Sequence, residues 1–172
     1  MTISTGDIYR LLKGRPSYGP WLQKVLQASA DCLAKPRLPA VVGPERRGPV
    51  ELGQLPAFDT LSGPCRNENL RDAANNWSGV MRYARCIDDT DCLTSAGGKC
   101  RGALIFAGER LTGGGAQHRQ RGTGNPGIND YLEPATLAAL TTGQLAALPS
   151  TIALPLADRD KPVATDVALC IP

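Results

Sequence analysis

Aromatic residues are scarce in this chain. Phe, Trp and Tyr together make up 5% of its 172 residues, and there is a single histidine. A core built from such a sequence must be mostly aliphatic, and each ring becomes a candidate anchor. The lone His118 sits between Gln117 and Arg119, with no acid or nucleophile placed near it by sequence, which argues against a histidine general base. No G-x-S-x-G elbow occurs, and no cysteine has the local pattern of a catalytic thiol. No two cysteines have the CxxC spacing of a zinc ribbon. No apolar run is long enough to span a bilayer. Residues 1–7 lack the basic and apolar regions of a signal peptide. The net charge of +3 is small, and the arginines are scattered without an aromatic-interleaved stripe, so no nucleic-acid partner is expected. These absences lead away from an enzyme.

What is present is a scaffold. Hydrophobic residues make up 42% of the chain, enough for a core, while 14 prolines and 19 glycines mark short elements joined by many loops. The six cysteines are Cys32, Cys65, Cys86, Cys92, Cys100 and Cys170. An even number spread from end to end fits a disulfide framework, and disulfides imply an oxidising compartment. Fifteen pairings are possible. The expected set is Cys92–Cys100 as a hairpin staple, Cys65–Cys86 across the first strand, and Cys32–Cys170 tying the last segment to the first long helix. An oxidised chain without a visible export signal leads to the expectation that an upstream segment has been removed.

The organising stretch is Asn75 to Ala107. Val80, Arg82 and Ala84 alternate with Met81, Tyr83 and Arg85, the period of a strand. Gly102 to Ala107 is a second, apolar strand, and the two are expected to pair antiparallel. Trp21, Trp77, Tyr83 and Phe106 are the expected structural anchors. Upstream, residues 7–14 could form a short helical piece. After Pro20, the residues Trp21, Leu22, Val25, Leu26, Cys32 and Leu33 form an apolar stripe at helical spacing, which ends at Lys35-Pro36. Six prolines between 36 and 64 predict a wrapping loop without regular structure, with Leu55, Phe58 and Leu61 packing inward. Downstream, Thr136–Leu140 reads as a short helix and Val163–Ile171 as a final strand.

Three motifs are weaker than they look. Gly122-Thr-Gly-Asn-Pro-Gly127 matches GxGxxG, but no strand precedes it directly and Pro126 interrupts it, so a surface loop is the better reading. Asn76-Trp-Ser is a glycosylation triplet of a kind that arises often by chance. Asp88, Asp89 and Asp91 crowd the Cys86–Cys92 loop, where oxygen ligands could hold calcium. The loop has neither the turn glycine nor the following glutamate of an EF-hand, and a solvated acidic turn is the simpler reading. No other cofactor is suggested.

The order of motifs carries a resemblance. An amphipathic helix leads into Arg37-Leu-Pro and then Gln54-Leu-Pro with Thr60-Leu61. Asp72 follows, then Trp77-Ser-Gly-Val-Met-Arg-Tyr, then Ala103-Leu-Ile-Phe-Ala-Gly, with Asp130-Tyr-Leu-Glu further on. In patches over residues 20–135, this resembles the soluble head of type IV pilin-like proteins, the minor pilins and type II secretion pseudopilins. Departures are Ser78 between Trp77 and Gly79, the missing N-terminal apolar helix with its processing site, and six cysteines in place of a pair. The resemblance implies an α+β head, with the helix packed across an antiparallel sheet of about four strands. It would be one domain: a helical part to residue 35, a wrapping loop over 36–76, central strands over 77–107, and a long loop with a final segment over 108–172. It further implies a structural filament subunit of the periplasm or cell surface, anchored in the inner membrane before assembly, with other pilin or pseudopilin subunits as partners. The alternative expectation is a secreted binding module or adhesin head using loops 86–100 and 111–127.

Overall fold

The computed structural model describes residues 18–58, 61, 65, 81–107, 132–152 and 166–172. The helical piece expected at 7–14, Trp77 with its glycosylation triplet, His118 and the glycine-rich 111–127 loop lie outside these residues. Among the described residues, helix α1 (Tyr18–Leu33) is followed by strands β1 (Val42–Arg47), β2 (Val50–Gln54) and β3 (Met81–Cys86). A small hairpin, β4 (Leu93–Ser95) and β5 (Gly98–Cys100), leads to β6 (Gly102–Phe106), helix α2 (Pro134–Thr142) and β7 (Val167–Ile171). Five strands form one antiparallel sheet in the order β1-β2-β3-β6-β7, and β4-β5 form a separate two-stranded sheet. The α+β class and the helix over an antiparallel sheet are as expected, with five strands rather than about four.

The extra strand content lies in the segment read as a loop. Pro44 and Pro49 look like breakers, but each sits where a strand tolerates proline. Pro44 lies at an irregularity of the edge strand β1, where the register slips between Val42 and Glu45. Pro49 occupies the two-residue turn with Gly48, which joins Arg47 to its partner Val50. The expected inward packing of Phe58, Leu55 and Leu61 holds: Phe58 is buried and the other two pack partly buried against the same cluster.

Both faces of the sheet are covered. Met81, Tyr83, Leu104, Phe106, Val167, Leu169 and Ile171 form one core with Leu22, Leu26, Ala30 and Leu33 of α1. Val50, Leu52, Ala84, Ala103, Ile105 and Ala168 form the second with Leu93, Leu132, Leu140 and Leu145. A strand buried on both sides needs no polar alternation, which is why β6 and β7 read Gly-Ala-Leu-Ile-Phe and Val-Ala-Leu-Cys-Ile. On α1 the buried positions 22, 26, 30 and 33 define a stripe one step round from Trp21. Trp21, expected as an anchor, is therefore 47% exposed at the rim of the stripe, whereas Tyr83 and Phe106 are buried anchors as expected.

The disulfides are Cys32–Cys65, Cys86–Cys92 and Cys100–Cys170, so all three expected pairings are overturned. The sheet itself is the reason. Cys32 and Cys65 belong to the α1-side core, while Cys86 and Cys100 belong to the other. Cys170 alternates with Leu169 and Ile171 and packs with the second core. A Cys65–Cys86 or Cys32–Cys170 bond would have to pass through the sheet. Cys92–Cys100 fails by one residue of register, because the residue opposite Cys100 is Leu93.

The β1–β2 turn touches the end of α2. Gly48 has φ +53°, and a Cβ there would lie 2.1 Å from the carbonyl oxygen of Thr141 at the end of α2. Gly43 has a similar φ, +59°, but nothing lies within 4 Å of its would-be Cβ. Gly43→Ala is expected to cost about 1 kcal/mol of left-handed strain. Gly48→Ala should cost more than about 2 kcal/mol, since the turn must also leave α2. Urea midpoints of the two variants measure the difference.

Candidate functional site

The described residues place chemistry-bearing side chains at one end of the sheet, where β3 ends, β6 begins and β7 ends. Five residues, Lys35–Pro39, cross there from α1 to the strands without regular structure. Such a segment cannot satisfy its own carbonyls, and its two prolines lack N–H groups. Side chains from the sheet do the work. Arg101 donates from Nη2 to the Lys35 carbonyl at 3.0 Å and from Nη1 to that of Pro36 at 2.8 Å. Arg85 Nη1 reaches the Leu38 carbonyl at 3.4 Å, and the Tyr83 hydroxyl donates to Pro39 at 3.2 Å. The Leu38 N–H donates to Asp89 Oδ1. Arg101 Nη2 also holds the Pro172 carbonyl at 2.7 Å, which fastens the end of β7 to the same point.

Leu38 itself is buried in the α1-side core. It lies over Gly102, where an added Cβ would come within 2.9 Å of Leu38 Cδ1 and 2.8 Å of the Ala84 carbonyl oxygen. The start of β6 thus needs glycine for close approach, independently of backbone freedom. Arg85 is further fixed by Glu51, directly opposite on β2, through an ion pair of 2.8 Å.

The acidic loop is part of this arrangement. Asp89 adopts φ +53°, a left-handed conformation that aspartate tolerates better than most residues. Its carboxylate turns inward, accepting from Leu38 and lying 3.6 Å from Arg101. Asp88 and Asp91 stay exposed. Among the described residues no group of three or more His, Cys, Asp or Glu converges as a metal site would require. The spacing in sequence left calcium open beside a solvated acidic turn because it could not show that the middle carboxylate is used by the fold. Beyond the loop, the β4–β5 hairpin is held to the end of α2: Thr94 donates to the Gly143 carbonyl, and Leu145 donates back to Thr94. Thr90, Asp91, Thr94, Ala96, Gly97 and Lys99 remain exposed.

A second polar cluster lies on the opposite end and was not foreseen. Asp166 is buried, and its Oδ2 accepts from the Glu133 N–H and the Thr136 hydroxyl, both at 2.8 Å. A carboxylate is thereby placed at the start of α2, where unsatisfied N–H groups favour negative charge. Glu133 occupies the cap position but makes no capping bond with its side chain. Thr136 three residues after Glu133 is the faint signal that the sequence offered, and the partner 30 residues later was invisible.

No protein-family model, curated protein or solved structure matches the chain. Among the described residues no helix is long and apolar enough to cross a membrane.

Two predictions follow from the convergence at Lys35–Pro39. Arg101→Ala removes three bonds to backbone carbonyls and should destabilise by about 2–4 kcal/mol, some of the loss being recovered by water at this partly exposed site. Arg101→Lys should recover only part, because an ammonium cannot reproduce the guanidinium fork; thermal unfolding of both variants tests this. Burial pushes the Tyr83 phenol well above its ordinary value of 10.0, against the opposing pull of Arg85 and Arg101. The neutral form is thus favoured in the folded state, and the contribution is present in full below pH 10 and is lost as pH rises beyond it. Stability measured between pH 9 and pH 11 should fall less steeply for Tyr83→Phe than for the parent chain.

Proposed function

We propose that this chain is the head of a pilin-like filament subunit, a minor pilin or a pseudopilin, which acts through protein–protein contacts in assembly or display. The observation that carries the reading is α1 laid over an antiparallel sheet and joined to it through the Leu-Pro connection at residues 38–39, in the order of elements expected of such heads. An apolar segment encoded further upstream would anchor the subunit in the inner membrane and later lie in the filament core. Trp21, half exposed at the rim of the α1 stripe, would then face a neighbouring subunit. The Cys86–Cys92 loop and the β4–β5 hairpin, at the end where α1 finishes, would be the part farthest from the anchor. Three disulfides support an oxidising location such as the periplasm or cell surface.

The test uses the gene in its own host. A photo-crosslinking residue at Trp21 of the full gene product is expected to give adducts with other filament subunits, and the protein should sediment with sheared surface filaments. Replacing everything encoded upstream of Tyr18 by a cleavable secretion signal should abolish both. Undiminished function from that secreted form, without crosslinks to a filament, would sink the reading in favour of a free binding module.

A further inference from the structure

The edge strand β7 is held in place in an unusual way. Its five residues carry no charge, glycine or proline, and four of the five are buried. Among the described residues it pairs with β6 alone, itself Gly-Ala-Leu-Ile-Phe and buried throughout. Such a segment is a good strand for any matching edge, and β6 without β7 would be a long apolar edge of the kind that recruits another strand. One covalent bond joins the two: Cys100, just before β6, to Cys170 within β7, across a separation of 70 residues.

The other two disulfides differ in what they hold. Cys86–Cys92 spans six residues within one loop, so opening it frees no strand. Cys32 and Cys65 are buried, at 1% and 0% exposure, which denies a reductant access. Cys100 is buried too, at 0% exposure, but its partner Cys170 is partly exposed at the sheet margin and offers a sulfur to attack.

We propose that Cys100–Cys170 is a redox lock on β7, and that a dithiol reductant releases the strand to pair with β6 of a second copy of the chain. A thiolate of the dithiol attacks one sulfur of the Cys100–Cys170 bond, forming a mixed disulfide and expelling the other as thiolate, which takes up a proton. The second thiol of the reductant then closes its own disulfide and releases the first cysteine. Two electrons pass from dithiol to protein, leaving Cys100 and Cys170 as thiols. Without the bond, β7 is tied to β6 only by the strand ladder and the packing around it. Apolar pairing with β6 persists, so the strand exchanges between copies, and the swapped site is identical to the original. The lock is independent of whether the protein serves in a filament.

The experiment uses the intact chain made in normal and fully 15N-labelled forms. Equal amounts are mixed at high concentration, treated briefly with dithiothreitol, reoxidised by air, and digested without reduction. Exchange should place Cys100 of one copy in a bond with Cys170 of another, so about half of the Cys100–Cys170 peptides in the dimer fraction should carry mixed isotopes. The Cys86–Cys92 and Cys32–Cys65 peptides should remain isotopically uniform. As a second arm, a chain with Cys100→Ser and Cys170→Ser should form dimers in proportion to concentration without any reductant, whereas Cys86→Ser with Cys92→Ser should stay monomeric. Absence of mixed Cys100–Cys170 peptides overturns the proposal. So do mixed isotopes in all three bonds, which would mean general unfolding and reshuffling.

Discussion

The backbone carbonyls between Lys35 and Pro39 are the point on which the rest of the structure depends. The chain must leave a helix on one side of the sheet and join the sheet's far edge. It does so through a segment with two prolines and no ladder of its own. A buried carbonyl left without a donor costs about 1–3 kcal/mol; Leu38 is buried, Lys35 and Pro39 are half-buried, and Pro36 is exposed. Arg101, Arg85 and Tyr83 supply those donors from three positions in or beside the central strands, and Asp89 accepts the N–H of Leu38. One consequence is that Arg85 and Tyr83, two residues apart on β3, both face α1. The strand alternation is therefore set by what the connection needs as well as by the core. Another is that the Cys86–Cys92 loop, which carries Asp89, is shaped from within and is not an independent ornament on the surface.

The sheet acts as a partition. With α1 on one face and α2 with the small hairpin on the other, residues one apart along a strand belong to different cores. Cysteines are sorted by that parity, and each of the three disulfides lies on one side of the partition. The chain-entropy argument gives about 4 kcal/mol for the Cys100–Cys170 bond, against about 2 kcal/mol for Cys86–Cys92. The bond with the greatest effect on the unfolded chain is thus also the one that secures an edge strand. The edge at β1 is protected by different means: Pro44, a register slip, and the charged run Glu45, Arg46 and Arg47.

Much of this was legible where a local pattern had a single physical cause. The 3.6-residue stripe from Leu22 to Leu33 located α1, and the two-residue alternation of Met81 to Arg85 located β3 with both of its faces. The antiparallel pairing of β3 with β6 followed from two strand-like runs joined through a cysteine-bracketed loop. What was not legible depended on distance along the chain. The β1–β2 hairpin was hidden because proline is a breaker in a central strand but acceptable at an edge and in a turn, and a segment does not announce which it is. The cysteine pairing required knowing which face each residue points to, and a shift of one residue reverses that. Asp166 reaches α2 across 30 residues, and Arg101 reaches Lys35 across 66. Neither leaves a trace in any window of sequence.

The molecule has a polarity that bears on how it could be displayed. Arg47, Val50, Cys86, Gly102 and Ile171 all lie at the sheet end that Arg101 ties together, and the last turn of α1 with Cys32 reaches the same end. The opposite strand ends, at Met81, Phe106 and Val167, are where the connections 59–80, 108–131 and 153–165 join the sheet. Covalent and charge-assisted links are thus concentrated at the end where α1 stops. A helix of 16 residues is about 24 Å long, enough to run the length of strands of five or six residues and beyond. If force were applied through the start of α1, as in a subunit hung from a helical anchor, it would enter at the end away from the stapled one. The load would then be spread along the α1–sheet core before reaching the Lys35–Pro39 connection. That connection is held by several hydrogen bonds, and Cys32, just before it, is bonded to Cys65.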